Sequence, residues 1–147
     1  MAHILWSTAF SIGVPDVDQE HEELVVLANQ MHDLLGSSAP DEDIQKTFRR
    51  LTSHTVTHFW NEEALFVNTA YPRAAIHARK HQHLLTILAC FQTCLDRSGQ
   101  YFKLEGQLGF LRDWLMDHIT TEDTWLGAYL TRQESPPSVS ALEDERG

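Results

Sequence analysis

Residues 24–35 of this chain read LVVLANQMHDLL, and they decide its fold class. Their apolar members recur at steps of three and four residues, which predicts an α-helix with one buried face. Asp16 or Asp18 is expected to cap the start of this helix, and Gly36 is expected to end it. The repeating positions are Leu24, Leu27, Ala28, Met31, Leu34 and Leu35.

Three further segments repeat the helical pattern, and no alternating strand pattern or hairpin dipeptide accompanies them. The predicted helices cover 16–36, 41–69, 73–96 and 103–120, and a short helical turn follows to 130. Inward-facing residues are expected at Ile44, Phe48, Leu51, Val56, Phe59, Leu65, Ile76, Leu84, Leu88, Ala89, Leu95, Leu108, Leu111, Leu115 and Ile119. Short connections between four helices favour an all-α, antiparallel up-down-up-down four-helix bundle with an N-terminal extended segment.

The length and the charge of the chain limit its organisation and its partners. At 147 residues it is expected to form one domain over 1–132, followed by a flexible acidic tail over 133–147. A net charge of −10 argues against nucleic acid and anionic membranes as partners. No apolar run reaches the roughly 18 residues of a membrane-spanning helix, so we expect no membrane insertion.

The cysteines and the N-terminal sequence indicate the cellular compartment of the protein. Two cysteines are too few for a disulfide scaffold, and Cys90 and Cys94 are four apart on one predicted helix, where a disulfide has poor geometry. We expect free thiols in a reducing compartment. The N-terminus lacks a basic region and a clear cleavage site, which favours a cytoplasmic protein without a signal peptide.

Histidine is the unusual residue, with nine in the chain. His58 and Glu62 are four apart on the second predicted helix, and His77 and His81 are four apart on the third. Each pair therefore shares one helix face. Because the third helix begins close to where the second ends, these two pairs are expected to meet.

Two more histidines are expected to join them from the other half of the bundle. His21 lies near the start of the first helix and His118 near the end of the fourth, and those ends are neighbours in an antiparallel bundle. Burying this much polarity costs several kcal/mol unless a partner compensates, and a metal is the economical partner. Imidazoles with a carboxylate suit iron, manganese or zinc, and five histidines exceed the needs of one tetrahedral zinc, so two metals are expected.

The other four histidines are expected to be ordinary surface or hydrogen-bonded residues. They are His3, His32, His54 and His83.

Four blocks of the chain resemble the hemerythrin family, and most closely its single-domain bacterial members, the bacteriohemerythrins. The blocks are DQEHEEL at 18–24, HTVTHFWNEE at 54–63, YPRAAIHARKH at 71–81 and WLMDHITTED at 114–123. Each block alone is a weak signal, but the four stand in the family's order and spacing.

The resemblance implies a non-haem di-iron centre: two iron ions joined by an oxo or hydroxo bridge, with dioxygen as a ligand. His77, His81 and His118 would hold one iron, His21 and His58 would hold the other, and Glu62 and Asp123 would bridge both. Counting donors gives six for the first iron and five for the second. The one open position is where dioxygen is expected to bind.

The resemblance also implies an apolar oxygen pocket around these ligands. The expected lining residues are Leu24, Phe59, Phe66, Trp114, Leu115 and Ile119. The family often has methionine where this chain has Phe66. The bulkier, stiffer ring is expected to narrow the pocket or to alter autoxidation.

The spacing of His118 and Asp123 sets a geometric condition. Residues five apart on a regular helix are separated by about 140°, so both cannot face one metal from an unbroken α-helix. The fourth helix is therefore expected to loosen or break within 119–122. Thr120 and Thr121, which compete locally for backbone hydrogen bonds, favour such a break.

The leading functional expectation is reversible dioxygen binding for carriage, storage or delivery to an oxygen-consuming enzyme, by a monomer that is not itself an enzyme. The alternatives are oxygen or redox sensing, detoxification of peroxide or nitric oxide by a di-iron enzyme, and a purely structural metal bundle. The absence of any histidine with glutamate three residues before it disfavours the oxidase-type di-iron site.

Overall fold

The computed structural model describes residues 3–98 and 101–131. The helices are α1 (Pro15–Gly36), α2 (Asp41–Thr69), α3 (Ala74–Ser98), α4 (Tyr101–His118) and α5 (Thr124–Thr131). A π-helical segment, Ile119–Asp123, joins α4 to α5, and a short 3-10 turn, Thr8–Phe10, precedes α1. The expected tail at 133–147 lies outside the described residues.

The four long helices pack in a ring around a shared core. α1 contacts α2 and α4, and α3 contacts the same two helices from the opposite side. This arrangement confirms the predicted all-α, up-down-up-down bundle. None of the helices in the described ranges has the length and apolarity needed to cross a membrane.

The core is formed largely by the residues that the helical periodicity indicates. Its central cluster contains Leu24, Leu27, Met31, Ile44, Phe48, Leu51, Phe59, Leu84, Leu88, Leu95, Leu108 and Leu111. Leu34, Leu35 and Leu115 are half-buried and pack against this cluster.

Two of the expected core positions are wrong. Val56 is 47% exposed, and Ala89 is also exposed. Each directly follows a buried residue, Thr55 or Leu88. One helical step turns a side chain by about 100°, so these two positions fall outside the buried face.

The predicted end of α1 at Gly36 is confirmed, but its predicted N-cap, Asp16 or Asp18, is wrong. The helix begins at Pro15 after Val14, and no side chain caps it. The carboxylate of Asp18 instead accepts hydrogen bonds from the Ser11 hydroxyl (2.6 Å) and the backbone N–H of Ile12 (2.8 Å). Asp18 therefore fastens the extended N-terminal segment to the first turn of the bundle.

The same segment approaches α5 closely at Gly127. A Cβ atom built on Gly127 would clash with the carbonyl oxygen of Ile12 and would lie 2.7 Å from its Cβ. Only glycine permits this contact, because the nearest atom belongs to the backbone and cannot rotate away.

We therefore expect Gly127→Ala to lower the free energy of unfolding by about 1–3 kcal/mol through overpacking. Gly106→Ala is the matched control, because Gly106 lies within α4 and a Cβ there meets nothing within 4 Å. The control is expected to be neutral or to gain about 0.5–1 kcal/mol from helix propensity. Urea unfolding measures both, and equal effects of the two substitutions would contradict the close contact.

Candidate metal centre

Seven buried side chains from every long helix and the π-helical segment meet at one level of the bundle. They are His21 from α1, His58 and Glu62 from α2, His77 and His81 from α3, His118 from α4 and Asp123 from the π-helical segment. Their potential ligand atoms form two groups, each within 4.8 Å: Glu62, His77, His81, His118 and Asp123, and His21, His58, Glu62 and Asp123. Glu62 and Asp123 belong to both.

The carboxylate of Glu62 faces the two groups with different oxygens. Its Oε1 lies 2.7 Å from His77 Nε2 and 3.2 Å from His81 Nε2. Its Oε2 lies 3.1 Å from His58 Nε2 and 3.9 Å from His21 Nε2. One oxygen is thus turned to each side of the site.

Asp123 repeats this arrangement from the opposite wall. Its Oδ1 lies 3.0 Å from His77 Nε2 and 3.2 Å from His118 Nε2, whereas its Oδ2 lies 2.9 Å from His21 Nε2. Two carboxylates that each offer one oxygen to either side form the donor arrangement that bridges two neighbouring cations.

The donor atoms lack the partners that buried polar atoms ordinarily have. Both oxygens of Glu62 and of Asp123, and both ring nitrogens of His21, are buried without a hydrogen bond of acceptable geometry. Such atoms are costly to bury unless something compensates them. Imidazole nitrogens and carboxylate oxygens that converge on common points therefore fit metal ions better than they fit each other.

Three imidazoles show the same convergence. The Nε2 atom of His118 lies 3.0 Å from that of His77 and 3.3 Å from that of His81. A neutral imidazole has one donor and one acceptor nitrogen, so three Nε2 atoms facing one another cannot all be paired. A shared cation satisfies all three lone pairs at once.

Carboxylates in contact with the imidazoles raise the pKa of two of them. Burial lowers the pKa of His58, but its contacts with Glu20 and Glu62 outweigh burial and raise the pKa to about 10. Burial also lowers the pKa of His77, and Asp123 and Glu62 raise it to about 9. The pKa values of Glu62 and Asp123 are lowered although burial raises both, because imidazoles contact each carboxylate.

The π-helical segment brings Asp123 to the site. The backbone N–H of Thr124 reaches back to the carbonyl of Ile119, five residues earlier, so the turn holds one more residue than an α-helical turn. His118 and Asp123, which are five apart, consequently face the same place. The predicted break in the fourth helix is confirmed, and it takes the form of a wider turn.

The hydroxyls of two threonines support this wider turn. Thr120 Oγ1 donates to the carbonyl of Met116 at 2.8 Å, and Thr121 Oγ1 donates to that of Asp117 at 2.7 Å. These bonds occupy backbone acceptors that the altered turn would otherwise leave less well satisfied.

A family model described as the hemerythrin HHE cation binding domain matches residues 12–130. The chain belongs to the hemerythrin family. It is 29% identical to the bacteriohemerythrin of Methylococcus capsulatus over 132 residues, covering 89% of this chain and 99% of that protein. It is 27% identical to myohemerythrin-1 of Phascolopsis gouldii over 119 residues, covering 81% of this chain and 87% of that protein.

A solved hemerythrin has the same fold. The crystal structure of a wild-type hemerythrin superposes with a TM-score of 0.76 at 27% identity, covering 88% of this chain and 98% of that chain. The expected family resemblance is confirmed.

Two outer carboxylates orient the imidazoles of this hemerythrin-family site, and sequence analysis missed both. Glu20 lies 3.0 Å from Nδ1 of His58, and Glu63 lies 3.2 Å from Nδ1 of His81. A carboxylate at Nδ1 fixes the ring so that Nε2 faces the centre. Both contacts join different helices, so only the relative rotation of the helices reveals them.

Aromatic rings pack flat against the outer faces of two imidazoles. Phe59 stacks on His81 with centroids 3.7 Å apart, and Trp114 stacks on His118 with centroids 4.5 Å apart. Phe66 lies beside His77 at 4.7 Å and belongs to a separate cluster with Tyr71 and Leu126.

The oxygen-pocket residues expected from the sequence do not all lie together. Leu24, Phe59 and Leu115 line an apolar cavity of about 30 Å³. Trp114 contacts the Phe59 ring and Ile119 is fully buried, but neither residue is part of the lining. Phe66 is likewise outside the lining.

A buried ion cluster that sequence analysis missed holds the π-helical segment against the start of α3. Glu122 is fully buried, and its Oε1 accepts from Arg73 Nη2 at 2.6 Å and from Lys80 Nζ at 2.8 Å. Arg73 is only 1% exposed and lies over the ring of Trp125 at 4.8 Å. Because Glu122 immediately precedes Asp123, this cluster also bears on the position of Asp123.

We expect Glu122→Gln to lower the free energy of unfolding by about 3–5 kcal/mol, because it leaves the buried Arg73 without its carboxylate. Arg73→Met should lower it by less, because Glu122 keeps Lys80 as a partner. The double variant should lose clearly less than the sum, since neither charge is then left alone. The exposed pair Arg49–Asp96 provides the control, and Arg49→Met should change stability by less than about 0.5 kcal/mol. Chemical denaturation measures all four variants, and additive effects in the buried pair would contradict the coupling.

The raised imidazole pKa values give a pH dependence for the metal-stripped protein. The stabilisation by protonated His58 and His77 is fully present below about pH 6.5 and is lost as the pH rises through 9 to 10. The thermal midpoint should therefore fall between pH 6.5 and 10. The metal-loaded protein should lose much less, because cations replace the protons, and equal alkaline losses in both forms would refute this account.

Proposed function

We propose that this chain binds dioxygen reversibly at a non-haem di-iron centre, for oxygen carriage, storage or delivery to an oxygen-consuming enzyme. The observation that carries the proposal is the pair of buried carboxylates, Glu62 and Asp123, each of which turns one oxygen to each of two histidine groups. Membership of the hemerythrin family supports iron as the metal.

The ligand assignment follows the two groups. His77, His81 and His118 would hold one iron, and His21 and His58 would hold the other. Glu62 and Asp123 would bridge them. Three nitrogens on one side and two on the other would give the two irons unequal numbers of donors, so the position for a small ligand would be on the side of His21 and His58.

When bound, the two irons supply the electrons that dioxygen takes up on binding and returns on release. The protein would keep this exchange reversible by excluding water, because all seven ligand side chains are buried. Glu20 and Glu63, fixed on the outer nitrogens of His58 and His81, keep the inner nitrogens directed at the centre.

The apolar cavity supports a small uncharged ligand. Leu24 lies one turn from His21, on the two-histidine side, whereas Phe59 follows His58 but stacks its ring on His81, on the three-histidine side, so the lining adjoins both sides of the centre. A volume of about 30 Å³ is about that of one small molecule, and apolar walls favour dioxygen over water. Phe66 would influence the site through the His77 ring, because it contacts that ring rather than the cavity.

The test is a cycle of oxygenation on the iron-loaded protein. We expect Fe(II) loaded anaerobically to give a visible charge-transfer band on exposure to air, which disappears under argon and returns over several cycles, with one dioxygen taken up per two irons. Asp123→Ala should lower the bound iron per chain, and the exposed His83→Ala should leave both iron content and the band unchanged.

Two results would contradict the proposal. Irreversible oxidation at the first exposure to air would favour sensing or enzymatic turnover. Failure of the wild-type chain to retain two irons would remove the ligand assignment itself.

A further inference from the structure

A second group of metal-ligating side chains lies outside the metal centre. His3, His32 and Asp33 each place a potential ligand atom within 4.8 Å of the other two. His3 Nε2 lies 2.6 Å from Asp33 Oδ1, and the His3 and His32 rings meet edge to face with centroids 5.2 Å apart. His32 is eleven residues beyond His21 on α1, about 16 Å along the helix, so the two sites are separate.

The position of His3 is fixed by its neighbour in the chain. The side-chain amide of Asn29 accepts from the backbone N–H of Ile4 at 2.9 Å and donates to the Ile4 carbonyl at 2.9 Å. This paired contact holds the N-terminal segment along α1, one turn before His32 and Asp33. The three ligands are thus assembled by a backbone clamp, not by the chance contact of a free terminus.

The donor set defines the kind of ion. Two imidazoles and one carboxylate suit borderline divalent cations such as Zn²⁺, Co²⁺, Ni²⁺ and Cu²⁺, whereas Ca²⁺ and Mg²⁺ prefer oxygen alone. The His3 and Asp33 side chains are 44% and 64% exposed, so water can complete the coordination. An exposed His–Asp ion pair would account for these two residues, but not for the second imidazole that faces them.

We propose that His3, His32 and Asp33 form a surface site for a borderline divalent cation, with Zn²⁺ as the representative ion. A bound ion joins the segment before α1 to the second half of α1, and it adds to the anchors at Ile4 and Asp18. The proposal is independent of the di-iron function, because neither set of ligands includes a residue of the other.

The experiment uses the full chain with iron already loaded, so that Zn²⁺ does not compete for an empty metal centre. Calorimetric titration with Zn²⁺, followed by dialysis and elemental analysis, should give one zinc per chain with iron content and visible spectrum unchanged. His3→Ala, His32→Ala and Asp33→Ala should each weaken zinc binding by at least about tenfold. His83→Ala, which removes an exposed histidine elsewhere, is the matched control and should not change it.

The Asn29→Ala variant tests whether zinc binding depends on the anchored N-terminal segment or is adventitious. Asn29 is not among the ligands, yet its loss releases Ile4 and should weaken zinc binding several-fold. Hydrogen exchange at the Ile4 amide should slow when zinc binds to the wild-type chain.

Three results would overturn the proposal. One is the absence of zinc beyond the iron. Another is equal zinc affinity in the wild type and the three ligand variants. The third is zinc uptake only at the expense of iron, which would assign the binding to the metal centre.

Discussion

Two carboxylates buried in the middle of a helical bundle are the constraint on which the rest of this structure depends. Glu62 and Asp123 are both fully buried, and two negative charges in a medium of low polarity must be balanced within a few ångströms. The bundle places imidazoles around them from all four long helices. The outer carboxylates and the stacked aromatic rings orient those imidazoles, and the wider turn after α4 directs Asp123 to the same place. The apolar core above and below supplies the stability with which this polarity is buried.

The periodic features of the structure could be predicted from the sequence. Apolar residues at steps of three and four located the long helices, and the spacing of His58 with Glu62 and of His77 with His81 indicated one shared face for each pair. The five-residue spacing of His118 and Asp123 even indicated that the helix between them must change its geometry. These inferences need only the angle between successive residues of a helix, which is nearly the same in all proteins.

Features that depend on how helices rotate against each other could not be predicted. Val56 and Ala89 lie one residue beyond the buried face, where a small error in the assumed rotation of the helix changes a residue from buried to exposed. Asp18 was expected to cap a helix because its position suited that role, but it binds a segment that the periodicity does not describe. Arg73 and Glu122 are 49 residues apart, and charged residues are rarely fully buried, so their pairing had no signal in the sequence.

The π-helical segment also determines how α5, the last described helix, packs on the bundle. One additional residue in a turn rotates everything after it by about 100° about the helix axis. In that orientation α5 turns Leu126 and Gly127 inward, where Gly127 receives the backbone of Ile12. It also brings the Tyr129 hydroxyl to the carbonyl of Thr69, at the end of α2 (2.8 Å). The same turn that directs Asp123 to the centre thus also rotates α5 into contact with the N-terminal segment and with the end of α2.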